Sequence, residues 1–411
     1  MYIEREIVKN ALKYLDSEYI LIFIGARQTG KTMILRHLYE KLKNEHRRAY
    51  FINLEDTDYL TLLNESPKNL FSVIGFDLKE RTIVFIDEIQ YLNNPTNFLK
   101  YFFDEYKNKI KLIVSGSSAF YLDVKFKDSL AGRKRIFYVY PISFSEFLFF
   151  KEEFDLWNKF KQSVNLKNFC LANFNKIEQR QLKIYSDEYL RFGGYPRVVL
   201  ESDHDEKLEI LRDLTDSFIK KDILEAKISY PGKFFQLLRI LSSQTGNLLN
   251  KHELANTLAI STTAIDNYIY TALKSFHIAL ISPYYANIRK ELTKQQKIYF
   301  YDLGLRNFLL RNLDIIDMRP DKGQLFENFI FRELLEFIRL DRIKYWRTQN
   351  KNEVDFIVDE KYAYEIKYNI DNVSLAKYKS FIDAYDNIRF HIVYHTGTNI
   401  KEHPKAKFLQ F

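Results

Sequence analysis

The chain has 411 residues, a formal charge of +8 at pH 7 from 62 Lys and Arg against 54 Asp and Glu, and 46% hydrophobic residues. That length suggests two to four domains, and that apolar content excludes a largely disordered chain. No apolar run approaches the roughly 18 residues of a membrane span, and the single cysteine, Cys170, excludes an internal disulfide.

Four apolar runs open the chain: YILIFIG (19–25), RRAYFINLE (47–55), RTIVFIDEI (81–89) and KLIVSGS (111–117). Helical patterns separate them, and continuous apolar strands alternating with helices predict an α/β unit with a parallel sheet over residues 1–140. Residues 141–245 read as mostly helical, interrupted by FGGYP (192–196). Residues 246–320 predict helix, tight turn, helix and then two strands, HIALISPY and KIYFYD, a winged-helix-like outline. From 321 a helix, GQLFENFIFRELLEFI, leads into NEVDFIVDEKYAYEIKY (352–368), two short strands joined by a polar turn.

The segment GARQTGKT (25–32) follows a strand, precedes a helix and matches the G-x-x-x-x-G-K-[ST] phosphate loop. Its glycines let backbone N–H groups curl around phosphate oxygens, and the helix N-terminus adds partial positive charge. Gly25, Ala26, Arg27, Gln28, Thr29, Gly30, Lys31, Thr32 and Met33 are therefore the candidate ATP-binding residues. Lys31 is expected on the β- and γ-phosphates and the Thr32 hydroxyl on Mg²⁺. The strand TIVFIDEI ends in Asp87, a candidate Mg²⁺ ligand through water, and in Glu88, a candidate base for the attacking water. Ser115, Ser117 and Ser118 follow the fourth strand as candidate γ-phosphate sensors, Ser117 being preferred. Arg133 in LAGRKR is a candidate for placing a guanidinium on the γ-phosphate, in cis or from a neighbouring copy, with Arg27 as a competitor.

In order, GARQTGKT, VFIDEIQYL, SGSSAFYL, SLAGRKR, PISFSEFL, RFGGYPRVV, KIYFYDLGLRNFL and GQLFENFIFREL…EVDFIV…YEIKY resemble the prokaryotic AAA-type ATPases with a C-terminal restriction-endonuclease-like domain. The resemblance covers nearly the whole chain. It implies a P-loop ATPase core (1–140), a helical lid and linker (141–245), a winged-helix-like domain (246–320) and a restriction-endonuclease-like α/β domain (321–411). It also implies that Gly193, Gly194 and Pro196 lie in the lid near the nucleotide. It delivers no substrate.

With a three-residue loop at Asp359–Lys361, residue i of the final hairpin opposes residue 720 − i, so Asp355 faces Glu365 and Glu353 faces Lys367. Val354, Phe356, Val358 and Ile366 then point the other way, into a core. A two-residue loop would instead set Asp355 opposite Tyr364. Like charges directly opposite destabilise a strand pair, and Asp355 with Glu365-x-Lys367 has the D…(D/E)-x-K layout of many nucleases. A shared Mg²⁺ would turn the repulsion into a ligand set. Lys367 would assist catalysis there, and Glu327 is the acid that such sites usually add from the preceding helix. The competing reading is an exposed hairpin whose charges keep an edge soluble.

The second helix of the 246–320 block offers Thr262, Thr263, Asp266, Asn267 and Tyr270 outward with only Lys274 basic. Base readout and a packing role therefore both stand. Two functions follow as expectations. One is an ATPase coupled to metal-dependent cleavage or processing of double-stranded or branched DNA. The other is a nucleotide-switched regulatory or scaffolding ATPase whose tail binds DNA or protein without cutting. ATP and Mg²⁺ are the expected cofactors. DNA and a second copy of the chain are the expected partners. The opening MYIEREIVKN lacks a secretory layout, and a cytoplasmic setting without membrane contact is expected.

Overall fold

The computed structural model describes residues 3–75, 80–116, 130–169, 171, 173–285, 291, 294–350, 352–371, 373–397 and 406–411. Ser117, Ser118 and Cys170 lie outside them. The chain divides into two units: Met1–Pro141 with Lys274–Phe276, and Ile142–Leu273 with His277–Phe411. Among the described residues no helix is long and apolar enough to cross a membrane.

In the first unit, β1 (Ile20–Ile24), β2 (Ala49–Asn53), β3 (Thr82–Asp87), β4 (Ile110–Gly116) and β5 (Lys134–Tyr138) form a sheet in the order β2-β3-β4-β1-β5. Every pairing is parallel. β1, β3 and β4 are buried along their whole length, as continuous apolar runs in a doubly covered sheet require. The helix Lys31–Asn44 lays Ile34, Leu35, Leu38 and Leu42 on one face, against Phe23, Phe85 and Ile113. β5 was not expected as a strand. Its sequence, KRIFY, begins with two cations and is half-exposed, which suits a charged sheet edge.

The second unit holds a sheet of seven strands in the order β14-β13-β12-β11-β10-β8-β9. These are β8 (Ile278–Pro283), β9 (Lys297–Phe300), β10 (Ile343–Arg347), β11 (Glu353–Val358), β12 (Tyr362–Asn369), β13 (Arg389–Thr396) and β14 (Ala406–Gln410). A small separate pair, β6 (Val164–Asn165) and β7 (Asn168–Phe169), completes the strands described. β8 and β9 are the strands expected to finish the 246–320 block. β8 pairs in parallel with β10, Lys344 opposite Ser282, so one sheet runs across the expected boundary at 320/321. Before them the helices Pro231–Ser243, Lys251–Leu258 and Thr262–Lys274 follow one another, and Leu248 bridges to Lys297 in antiparallel fashion. Leu254, Leu258, Ile265 and Ile269 bury this helical run in a core of this unit.

FGGYP interlocks with YDLG, more than a hundred residues later. The Asp302 carboxylate accepts from Gly194 N–H at 2.7 Å and from Leu305 N–H at 2.7 Å. A Cβ at Gly193 would strike Gly304 and Asp302, one at Gly304 the Phe192 carbonyl, and one at Gly194 the Ile142 carbonyl. Burial pushes Asp302 up to about 6, opposed by those backbone N–H donors. Both motifs thus have a packing reason inside this unit.

Candidate nucleotide site and the tail carboxylates

The phosphate loop leaves β1 at Gly25, where a side chain would collide with the Val139 carbonyl. Gln28 and Gly30 take positive φ (56° and 94°), curling the backbone before the helix begins at Lys31. Thr29 Oγ1 donates to the Ala26 carbonyl at 2.8 Å. Arg5, buried, donates to the Thr29 and Tyr140 carbonyls at 3.1 and 3.0 Å and props the loop from outside the motif. No sequence pattern pointed to Arg5, because its partners are carbonyls far along the chain. The Lys31 ammonium folds back on the Gly25 and Ala26 carbonyls at 3.1 and 2.7 Å. Burial lowers Lys31 to about 8 even though Glu88 and Asp87 pull it upward.

β4 lies between β1 and β3 in the sheet, so the end of β4 faces the end of β3. There Ser115, fully buried, donates from Oγ to Asp87 Oδ1 and accepts from Glu88 N–H at 3.2 Å. Burial raises Asp87, while hydrogen bonds from Ser115 and Thr32 lower it. Thr32 and Asp87 are therefore joined directly, the pair expected to share the cation. Glu88 holds a left-handed backbone (φ 58°, ψ 46°), and its carboxylate accepts from Gln90 Nε2. A non-glycine residue in that conformation is strained by about 1–3 kcal/mol, and such strain concentrates at functional positions. Of the three serines, Ser115 is the one the described structure brings to the acids, and it grips Asp87 from below.

Arg133 sits elsewhere. Its carbonyl accepts from Ile20 N–H at the start of β1, and its guanidinium meets Asp104 at 2.9 Å. The phosphate loop leaves the opposite end of β1. Arg133, expected on a γ-phosphate in cis or from a neighbouring copy, therefore lies at the far end of β1 from its own phosphate loop.

In the tail, the hairpin register follows the three-residue loop: Phe356 opposes Tyr364, Ile357 opposes Ala363 and Val358 opposes Tyr362. Asp359 and Glu360 carry the turn at positive φ. The expected strict alternation fails one residue further. Against β10, Lys344 opposes Ile357 but Trp346 opposes Val354, so Asp355 and Phe356 share Tyr345 in a β-bulge. Val354 and Ile357 consequently lie in one core with Phe381 and Phe390. Phe356 instead packs on Tyr299 and stacks on Phe331 of the helix Lys322–Leu334.

The bulge aims Asp355 at a cation that the sequence reading missed. Lys297 Nζ, 1% exposed, lies 3.1 Å from Glu327, 2.6 Å from Glu353 and 3.1 Å from Asp355. Burial would lower Lys297, but Glu327, Asp355 and Glu353 outweigh it and hold it well above its usual value. Asp355 Oδ2 accepts from Ile366 N–H at 2.9 Å where the β11–β12 pairing stops. Glu365 takes its partners apart from Lys297, accepting from Lys367 and from the Tyr378 hydroxyl at 2.8 Å. Burial and the Asp355 charge push Glu365 up to about 7. Among the described residues no group of three His, Cys, Asp or Glu is arranged to hold a metal. Of the expected Glu327–Asp355–Glu365 ligand set, the Lys297 ammonium joins Glu327 to Asp355, while Glu365 bonds to Lys367 and Tyr378.

Residues 17–148 match the family model described as AAA domain. Residues 184–314 and 322–409 match two families described as domains of unknown function, DUF8612 and DUF4143. The phosphate loop, the Thr32–Asp87 pair and Glu88 all fall within that first match, so residues 17–148 are an AAA-type P-loop ATPase domain. The chain is 27% identical over 383 residues to the uncharacterized protein MJ1544 of Methanocaldococcus jannaschii, covering 90% of this chain and 78% of that one. An uncharacterized protein of Haemophilus influenzae is 24% identical over 374 residues, covering 88% and 84%. Among solved structures, the Aeropyrum pernix ORC1 protein in complex with DNA aligns with a TM-score of 0.32 at 10% identity, over 76% of this chain and 93% of that one.

Proposed function

We propose that the chain is an ATP-hydrolysing switch in which the first unit turns over nucleotide and the second delivers the output to DNA or to a protein bound on it. The observation that carries the reading is the meeting of Thr32, Asp87, Ser115 and Glu88 at the strand ends beside the phosphate loop. Lys31, released from its loop carbonyls, neutralises the β- and γ-phosphates. Thr32 and Asp87 hold Mg²⁺, which supplies charge neutralisation along the phosphate chain. Glu88, restrained by Gln90, takes the proton of the attacking water. Ser115 keeps Asp87 in place and fixes the backbone of Glu88. Gly194 and Pro196 belong to the lid, and Arg133 reaches the nucleotide of a neighbouring copy in a homo-oligomer. Magnesium dependence and a cytoplasmic setting belong to the same reading.

The run of helices, bridge and strands from 231 to 300 supports a winged-helix-like element, and the bulged hairpin supports a restriction-endonuclease-like tail. Of the two outputs, binding without cutting is favoured by Lys297, which engages three carboxylates of the tail. ATP turnover of the wild type and Lys31→Ala, each with and without linear duplex DNA, tests the whole reading. Lys31→Ala is expected to lose at least about 100-fold in turnover, and DNA is expected to stimulate the wild type. A wild type without ATPase activity sinks the first half, and indifference to DNA sinks the second.

The folded-back Lys31 adds a pH signature. Its free value is about 8, and bound phosphates must raise it, since opposite charge favours the protonated form. Binding therefore takes up a proton above about pH 8, and affinity falls as pH rises through that value, by up to about tenfold per pH unit. Titration calorimetry at pH 9 in buffers of different ionisation enthalpy reads that uptake directly. A buffer-independent heat rules it out.

A further inference from the structure

Resting on the reading of the tail as restriction-endonuclease-like, we infer that its cage is filled by the chain's own lysine and takes no divalent cation. The place such a site would give a metal is occupied by Lys297 Nζ, within 3.1 Å of Glu327, Glu353 and Asp355. Each of the three carboxylates also has a second partner. Tyr299 donates to Glu327 at 2.5 Å, Arg347 meets Glu353 at 2.8 Å, and Ile366 N–H reaches Asp355. A hard cation needs carboxylate oxygens with room for water and substrate oxygens around it, and this cage offers a buried ammonium instead. Charge leads to the same conclusion. Four acids, Glu327, Glu353, Asp355 and Glu365, stand beside three bases, Lys297, Arg347 and Lys367, so a divalent ion would overshoot neutrality.

The lysine comes from β9 and its partners from the helix Lys322–Leu334 and β11. Lys297 also bridges to Leu248 ahead of the helix Lys251–Leu258. The ammonium therefore clamps the winged-helix-like strands to the tail at the point where a nuclease of this layout would do its chemistry. Lys297 is a positioning residue.

Mn²⁺ binding by the full chain without nucleotide, followed by electron paramagnetic resonance, tests this independently of ATP turnover. Wild type and Asp355→Asn are expected to bind the same amount of Mn²⁺. Lys297→Met is expected to gain one Mn²⁺ per chain, and Lys297→Met/Asp355→Asn to lose it. Wild-type binding that drops in Asp355→Asn overturns the inference, as does a folded Lys297→Met that binds no more than wild type. Should Lys297→Met fail to fold, the wild-type and Asp355→Asn comparison still decides, because both keep the lysine. Failure of the ATPase reading would leave every one of these outcomes unchanged.

Discussion

Glu88→Gln is expected to lower ATP turnover by about 10²–10⁴-fold, the usual contribution of a positioned general base, while nucleotide remains bound. The amide keeps the size of the side chain and can accept from Gln90 Nε2 through its carbonyl oxygen, so the left-handed backbone at residue 88 has no new reason to move. Lys31, Thr32 and Asp87, to which the proposed phosphate and cation contacts fall, are untouched. The expected pattern is thus a collapse in turnover with nearly unchanged nucleotide affinity, measured by steady-state phosphate release and by equilibrium binding of a fluorescent ATP analogue. Equal loss of binding and turnover would assign Glu88 to the fold of the site instead of its chemistry. Turnover above about a tenth of wild type would move the base elsewhere.

The phosphate loop and the acids of β3 were readable because their chemistry is contiguous: eight residues and one strand end contain the parts. Ser115 was in view among three serines, but only the sheet order, with β4 between β1 and β3, sets it against Asp87. Arg133 could not be placed in cis or in trans from the sequence, because a string of basic residues looks the same whether it opens an edge strand or reaches a phosphate. The tail shows the limit most clearly. Its turn residues determined the hairpin register over 356–358, since loop length and register are coupled. The bulge at Asp355–Phe356 depends on a third strand, β10, and two-strand reasoning could not see it. Lys297 reaches acids 30, 56 and 58 positions away, and periodicity carries no information at such separations. One signal was present: a lysine opening KIYF, a strand that is buried along its whole length.

Lys297→Met is expected to destabilise the second unit by about 3–5 kcal/mol, the range for removing one partner from a buried ion pair and leaving the other uncompensated. Methionine fills much the same volume, so the cost is electrostatic and not that of a cavity. Glu327, Glu353 and Asp355 would then face one another around a thioether, with Arg347 relieving only Glu353. That origin predicts a rescue. Adding Asp355→Asn to Lys297→Met removes one of the stranded charges, so the double variant should be less destabilised than the sum of the two single ones by about 0.5–3 kcal/mol. Urea melts followed by near-ultraviolet circular dichroism of the full chain measure all three variants, with the transition of the second unit identified by its response to these substitutions. Strict additivity would mean that Lys297 and Asp355 act separately. A Lys297→Met cost below about 1 kcal/mol would put the pair in the range of exposed salt bridges, where a clamp between β9 and the tail has no physical basis.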